Sequence, residues 1–139
     1  MDQIERKIVQ HIEESREQIL AFADDIYHHA ELGYKEFRTS EKFADIMKQH
    51  LSHVDEHLAV TGVKAYLNED RKEQFSLALL GEMDALKIPN HIYAVPETGA
   101  AHCCGHHAQL AGVVGAMLAL TDPEIADKLD GQVIFFATP

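Results

Sequence analysis

Two short apolar runs constrain this chain more than any other feature. Phe75 to Leu80 (FSLALL) and Val133 to Ala137 (VIFFA) are almost wholly apolar, and Gly81 and the Asp130-Gly131 turn punctuate them. Such runs read as strands buried on both faces, as in an α/β sheet. The segments around them carry helical spacing instead. Ile4, Ile8, Ile12, Ile19 and Phe22 recur near helical period with charged residues between, and Asp2 can cap that helix. The pattern predicts one helix running to about Ala30, and Gly33 breaks it. Thr39 or Ser40 can cap a second helix, with Phe43, Ile46, Met47 and Leu51 on its apolar side. Leu58, Val60, Val63, Ala65 and Leu67 alternate around Gly62, as in a hairpin or a bulged strand. Lys87 to Gly99 reads as a loop. Ala108 to Leu120 reads as a helix whose Ala111, Gly112, Gly115 and Ala116 would let its backbone approach a sheet. Pro123 suits the first turn of a further short helix. Helices alternating with apolar strands imply a layered α/β domain.

Composition excludes several function classes. A chain of 139 residues suits one domain. Twelve Lys and Arg stand against 23 Asp and Glu, a net charge of −11. That balance argues against nucleic acid and against an anionic membrane surface as partners. The longest apolar run, Leu110 to Leu120, has 11 residues, whereas a spanning helix needs about 20. The charged start MDQIERKIVQHIEES has no signal-peptide core. The two cysteines are adjacent and form no disulfide framework, so a reducing, cytoplasmic setting is the expectation.

The chain has 10 histidines, and three of them crowd one segment. His102-Cys103-Cys104-Gly105-His106-His107 lies between a Pro/Gly loop and a helix start. Cys and His are preferred zinc ligands, and Cys104 and His106 can offer two donors around a flexible Gly. A buried cysteine pair with incidental histidines, or a Cys–His nucleophile, would use the same residue types. A second segment, Gly81-Glu82-Met83-Asp84-Ala85-Leu86, closes the FSLALL strand. Carboxylates spaced i, i+2 on an extended chain point the same way, so Glu82 and Asp84 could bind a metal or orient a ligand histidine. They could equally form a polar strand end facing water. A third segment, His28 to Glu36, says little alone.

Together these segments resemble the co-catalytic zinc metallopeptidase family of aminoacylases and carboxypeptidases. The nearest branch holds hippurate hydrolases, auxin-conjugate hydrolases and aminobenzoyl-glutamate hydrolase. Its His-Pro-Glu-Leu-Gly-x-x-Glu…Thr-Ser stretch is resembled by His29 to Glu36 with Thr39-Ser40. Its Asp/Glu-Met-Asp-Ala-Leu strand end is matched by Glu82 to Leu86, and its His-x-Cys-Gly-His-Asp/Asn by His102 to His107. Of its Pro-x-Glu-Glu only Pro139 is present. The resemblance implies a layered α/β/α fold with a mostly parallel central sheet, part of a zinc-exopeptidase-like catalytic domain. It implies that Cys104 and His106 are metal ligands and that Asp84 is the supporting carboxylate. Glu82, His107 and His102 are further candidates for the metal set. Two zinc ions per site, or Mn or Co, would serve hydrolysis of a small N-acyl amino acid or dipeptide-like amide. The parent would be a homodimer.

Two positions depart from the family pattern. His107 stands in place of Asp or Asn, and Gln109 in place of a second His. The chain stops at Thr138-Pro139, directly after an apolar strand. Residues 1–139 are therefore expected to be the N-terminal portion of the catalytic domain. The dimerisation or lid domain and the remaining catalytic residues, among them the general-base glutamate, would lie outside it. On that expectation the chain itself is inactive and its sheet is open beside Val133–Ala137. The competing readings are a non-catalytic relative that binds a ligand or partner, and a metal-binding protein complete at this length.

Overall fold

Asp2 opens the chain with a reciprocal cap. Its side chain accepts from the Glu5 amide at 2.9 Å, and the Glu5 carboxylate accepts from the Asp2 amide at 2.7 Å. The pair satisfies donors that the first helical turn leaves free. The computed structural model describes all residues from 1 to 139. In it this helix does not run on to Ala30. It stops as α1 (Gln3–Glu14) and resumes as α2 (Arg16–His28), with Ser15 between them at φ −90° and ψ 3°. Serine favours helix ends over interiors, and the break lets both helices lie on a later one.

The next helix, α3 (Phe37–His50), begins ahead of the expected caps. Thr39 and Ser40 are buried within it. A carboxylate from outside replaces them. Glu31 accepts from the Arg38 amide at 3.1 Å and from the Thr39 amide at 2.8 Å. A negative group at these amides satisfies them and complements the helix dipole.

The chain continues through β1 (His53–Leu58), β2 (Gly62–Leu67), β3 (Ser76–Glu82), β4 (Leu86–Lys87) and β5 (Ala100–Ala101). Then come α4 (His106–Leu120), α5 (Pro123–Ala126) and β6 (Gln132–Thr138). Four strands form one sheet in the order β1-β2-β6-β3. The layered α/β class holds, but the sheet is mixed rather than mostly parallel. β1 pairs β2 and β2 pairs β6 antiparallel, and β6 pairs β3 in parallel. The reason is connection length. Three residues link β1 to β2 and oblige a hairpin, whereas α4 and α5 fill the crossover between β3 and β6.

Register sets the core. Val133, Phe135 and Ala137 of β6 stand beside Leu67, Ala65 and Val63 of β2. All six are buried, in one cluster with Phe22, Ile26, Phe43, Met47, Leu110, Val114 and Met117 of the helices. The opposite phase carries Lys64, Phe136 and Leu80 in one row, and Tyr66, Ile134 and Ala78 in the next. No helix of the chain covers this face, so the helices form one layer on the sheet rather than two. Lys64 lies over it, 5.0 Å from the Phe136 ring and 5.2 Å from the Tyr66 ring. FSLALL is accordingly not buried on both faces: Leu77 is 50% and Leu80 56% exposed, because β3 is an edge strand. VIFFA is the interior strand, and the open edges are β1 and β3.

Close approach of α4 to the sheet comes from the strand side. A Cβ on Gly81 would lie 3.1 Å from the Leu110 backbone nitrogen, so a side chain there would push the first turns of α4 back from β3 by a few tenths of an ångström. Gly115, by contrast, faces Ile19 of α2. The loop 88–99 is closed at its base by the β4–β5 pair. No helix is long and apolar enough to cross a membrane.

Candidate metal centre

The carboxyl ends of β3 and β6 lie side by side, with Glu82 opposite Thr138. Just past the carboxyl ends of parallel strands is where α/β sheets place their ligands. The Met83 amide donates to the Thr138 carbonyl at 2.8 Å and carries the chain on in line with β3. Met83 is fully buried, so its neighbours Glu82 and Asp84 turn the other way.

The helix start delivers the imidazole. Gly105 precedes α4 with φ 94°, a left-handed conformation that favours glycine. A Cβ there would meet nothing within 4 Å, so the requirement is conformational rather than spatial. His106 follows and is buried. Its Nδ1 lies 2.7 Å from Asp84 Oδ1 and 2.9 Å from the Asp84 carbonyl. Its Nε2 lies 3.1 Å from Glu82 Oε2. The two carboxylates expected to point together thus meet one imidazole from its two sides. Gln109, one turn on, accepts from the Glu82 amide at 3.2 Å and ties α4 to the strand end.

His102 and His107 form a second pair, with ring centroids 5.3 Å apart. His102 is buried, and neither of its ring nitrogens has a hydrogen-bond partner; His107 Nδ1 is likewise unpartnered. Burial pushes the His102 imidazole down to about 4, and the neighbouring His107 and His106 add to the shift against Asp84. Burial first, then His106, also lowers His107. His102 is therefore neutral at neutral pH, the form in which imidazole binds metals. Tyr27 of α2 packs on His107 with centroids 4.9 Å apart. Cys103 and Cys104 are free, exposed thiols.

The donors come as two pairs rather than one cluster. No group of three or more His, Cys, Asp or Glu converges with geometry to hold a metal ion. The pair Glu82–His106 nevertheless suits one. Two donors on a tetrahedral zinc at about 2.0–2.1 Å lie roughly 3.3 Å apart, close to the 3.1 Å between Glu82 Oε2 and His106 Nε2. A carboxylate behind the other imidazole nitrogen is the usual support of a ligating histidine, and Asp84 stands there. The donor chemistry, with the unpartnered imidazole nitrogens beside it, fits a metal.

Comparison with known proteins finds similarity to hydrolases and peptidases. The chain is 28% identical over 117 residues to a candidate hydrolase of Synechocystis sp., covering 82% of this chain and 29% of that protein. It is 25% identical over 142 aligned positions to thermostable carboxypeptidase 1 of Saccharolobus solfataricus, covering 100% of this chain and 35% of that enzyme. The crystal structure of a candidate aminohydrolase from methicillin-resistant Staphylococcus aureus superposes with a TM-score of 0.81 at 22% identity, over 96% of this chain and 34% of that one. A dinuclear metal-binding peptidase of the M20 family from Bacillus subtilis superposes with a TM-score of 0.72 at 26% identity, over 88% and 34%. The chain is thus similar to metal-binding peptidases and hydrolases at 25–28% identity. No family model matches it. The chain spans about a third of the length of the curated proteins it matches.

The segment from Glu31 to Glu36 serves the architecture. Glu31 caps α3 from outside. Glu36, wholly buried, accepts from the Tyr34 amide at 2.9 Å and from Thr61 Oγ1 at 2.7 Å. Sequence reasoning missed this, and it missed Tyr27 and the Gln109 contact. The partners of Glu31 and Glu36 lie up to 25 residues away in the sequence.

Proposed function

We propose that this chain forms part of a metal-dependent amidohydrolase acting on small N-acyl amino acids or dipeptide-like amides. The observation that carries the proposal is the His106 imidazole held between Asp84 and Glu82 at the carboxyl end of β3. Glu82 and His106 would hold the metal, with Cys104 as a third donor from the turn before α4. Asp84 holds the proton on His106 Nδ1, so that Nε2 keeps its lone pair for the metal. Gln109 keeps the strand end in place by accepting from the Glu82 amide. His102 and His107 supply neutral imidazoles beside that edge. A bound metal would supply Lewis-acid polarisation of the amide carbonyl and an acidified water. Zinc is the proposed metal, with manganese or cobalt as substitutes, since an imidazole, carboxylate and thiolate set suits borderline ions.

The relatives named as peptidase and hydrolase support this reading, and so does the metal-binding one. The proposed setting is a cytoplasmic homodimer of the relatives' length, in which residues 1–139 are one portion of the catalytic domain. The test is release of free amino acid from N-acyl amino acids by such a protein. Activity should vanish with a chelator and return with zinc, manganese or cobalt. Cys104→Ala and His106→Ala should each lower kcat/KM by about a hundredfold or more. Unchanged activity in Cys104→Ala would remove that residue from the metal set. Activity indifferent to chelation would end the proposal.

A further inference from the structure

A cavity of about 510 Å³ opens between the end of α2, the turn after it and the loop 88–99. That volume lies in the range of small-ligand sites, roughly 300–1,000 Å³. Its walls are preformed. On the loop side, the Val95 amide donates to the Ala100 carbonyl at 2.8 Å and the Gly99 amide to the Val95 carbonyl at 2.7 Å. On the other side, the Ala85 amide donates to the Glu31 carbonyl at 2.8 Å and Leu32 bridges to Ala85. That wall is thus tied to the residue after Asp84. Tyr93 stands in the cavity wall and is propped edge-on by Tyr27 and His28, at centroid distances of 5.5 and 5.6 Å.

Several polar groups of the lining are already engaged. Both carboxylate oxygens of Glu31 accept from α3 amides. His28 and His29 turn Nδ1 to the Asp24 and Asp25 carbonyls, at 2.8 and 2.7 Å. Lys35 remains, exposed and outside every ion pair of the chain. The cavity therefore combines apolar walls at Leu32, Val95 and Pro96, the Tyr93 ring, the outer edges of the His28 and His29 imidazoles, and one lysine ammonium outside every ion pair. We propose that it binds a small carboxylate with an apolar or aromatic body, the carboxylate on Lys35 and the body against Tyr93. A single cation suits a monoanion. A phosphate would want the helix amides that Glu31 already occupies. The inference stands on the cavity alone and needs no metal.

The test is calorimetric titration of the 139-residue chain, in EDTA, with 3-phenylpropionate, its neutral amide 3-phenylpropanamide, and propionate. The acid should bind about fivefold more tightly than the amide, as one exposed ion pair allows. Propionate should bind more weakly still, for want of a ring. Lys35→Gln should bring the acid down to the affinity of the amide, and Lys35→Arg should restore the difference. Tyr93→Ala should weaken acid and amide alike. Equal affinity for acid and amide in the unaltered chain, no effect of Lys35→Gln, or no binding of the acid up to about 10 mM would each overturn the proposal. Adding zinc distinguishes the two readings. Acid binding that needs the metal places the carboxylate at His106 and removes the cavity site, while binding indifferent to zinc keeps it.

Discussion

Two motif segments flank the same strand end and handle their polar groups in opposite ways. Between Glu31 and Ser40, the chain's own donors meet the carboxylates. Glu31 takes two α3 amides, and Glu36 takes the Tyr34 amide and the Thr61 hydroxyl. Only Thr39 Oγ1 is buried without a partner there. Between His102 and His107, three imidazole nitrogens lack one and both thiols are exposed. Buried polar groups are normally paired. A segment whose groups are paired from within is architecture. A segment whose nitrogens find nothing within the chain has the chemistry of a ligand site. Resemblance to a family motif does not separate the two, because both segments share it.

The largest expected effect falls on the first segment. Glu36→Ala would strand the Tyr34 amide and the Thr61 hydroxyl in a fully buried site. It should cost about 3 kcal/mol in urea unfolding while leaving the metal affinity of the folded chain unchanged. Asp84→Asn should do the reverse. Metal affinity should fall about 10–100-fold, with stability altered by less than about 1 kcal/mol. If Glu36→Ala instead abolished metal binding in folded protein, the division between the segments would fail.

Smaller effects sharpen the same contrast. Arg38 makes a forked pair with Asp25, with contacts of 2.8 Å on both oxygens, and Lys42 adds a third contact at 3.0 Å. The hydrogen bonds from Arg38 lead in holding the Asp25 carboxyl down at about 2, from an ordinary 3.8. Below its ordinary value the unfolded chain binds the proton that the folded chain refuses. Stability from this pair is therefore full above about pH 4 and is lost as pH falls towards 2. Asp25 is partly exposed, so the loss should stay near 1 kcal/mol or less. Acid unfolding of Asp25→Asn beside the unaltered chain would show it as a missing slope in that window. The Gln109 contact is the least costly to lose. Gln109→Ala should cost about 0.5–1 kcal/mol and lower metal affinity only a few-fold, which parallel unfolding and titration curves would read.

Much of this was legible in the sequence, for reasons of period and spacing. The apolar stretch read as a helix from Ala108 to Leu120 is α4, which begins two residues earlier, at His106. The i, i+2 spacing of Glu82 and Asp84 implies that both side chains leave one side of an extended strand, and both reach His106. Other features were not legible, because they depend on residues distant in sequence. Nothing local shows that Glu31 caps α3, and so the helix starts before Thr39. The apolar run FSLALL reads as a strand buried on both faces, yet its burial depends on what lies beside and above it. The small residues of α4 read as a sheet contact, but the contact is made by Gly81 from the strand. Tyr27 on His107 joins two helices whose pairing no local pattern encodes.

The central claim is that the turn before α4 and the end of β3 share one metal. Cobalt titration of the chain tests it most directly, because thiolate and imidazole ligands each mark the absorption spectrum of that ion. The account predicts binding with a thiolate charge-transfer band that disappears in Cys104→Ser, persists in Cys103→Ser, and is much weakened with Glu82→Gln or His106→Ala. A band carried by Cys103 alone, or cobalt binding untouched by Glu82→Gln and His106→Ala, would contradict it.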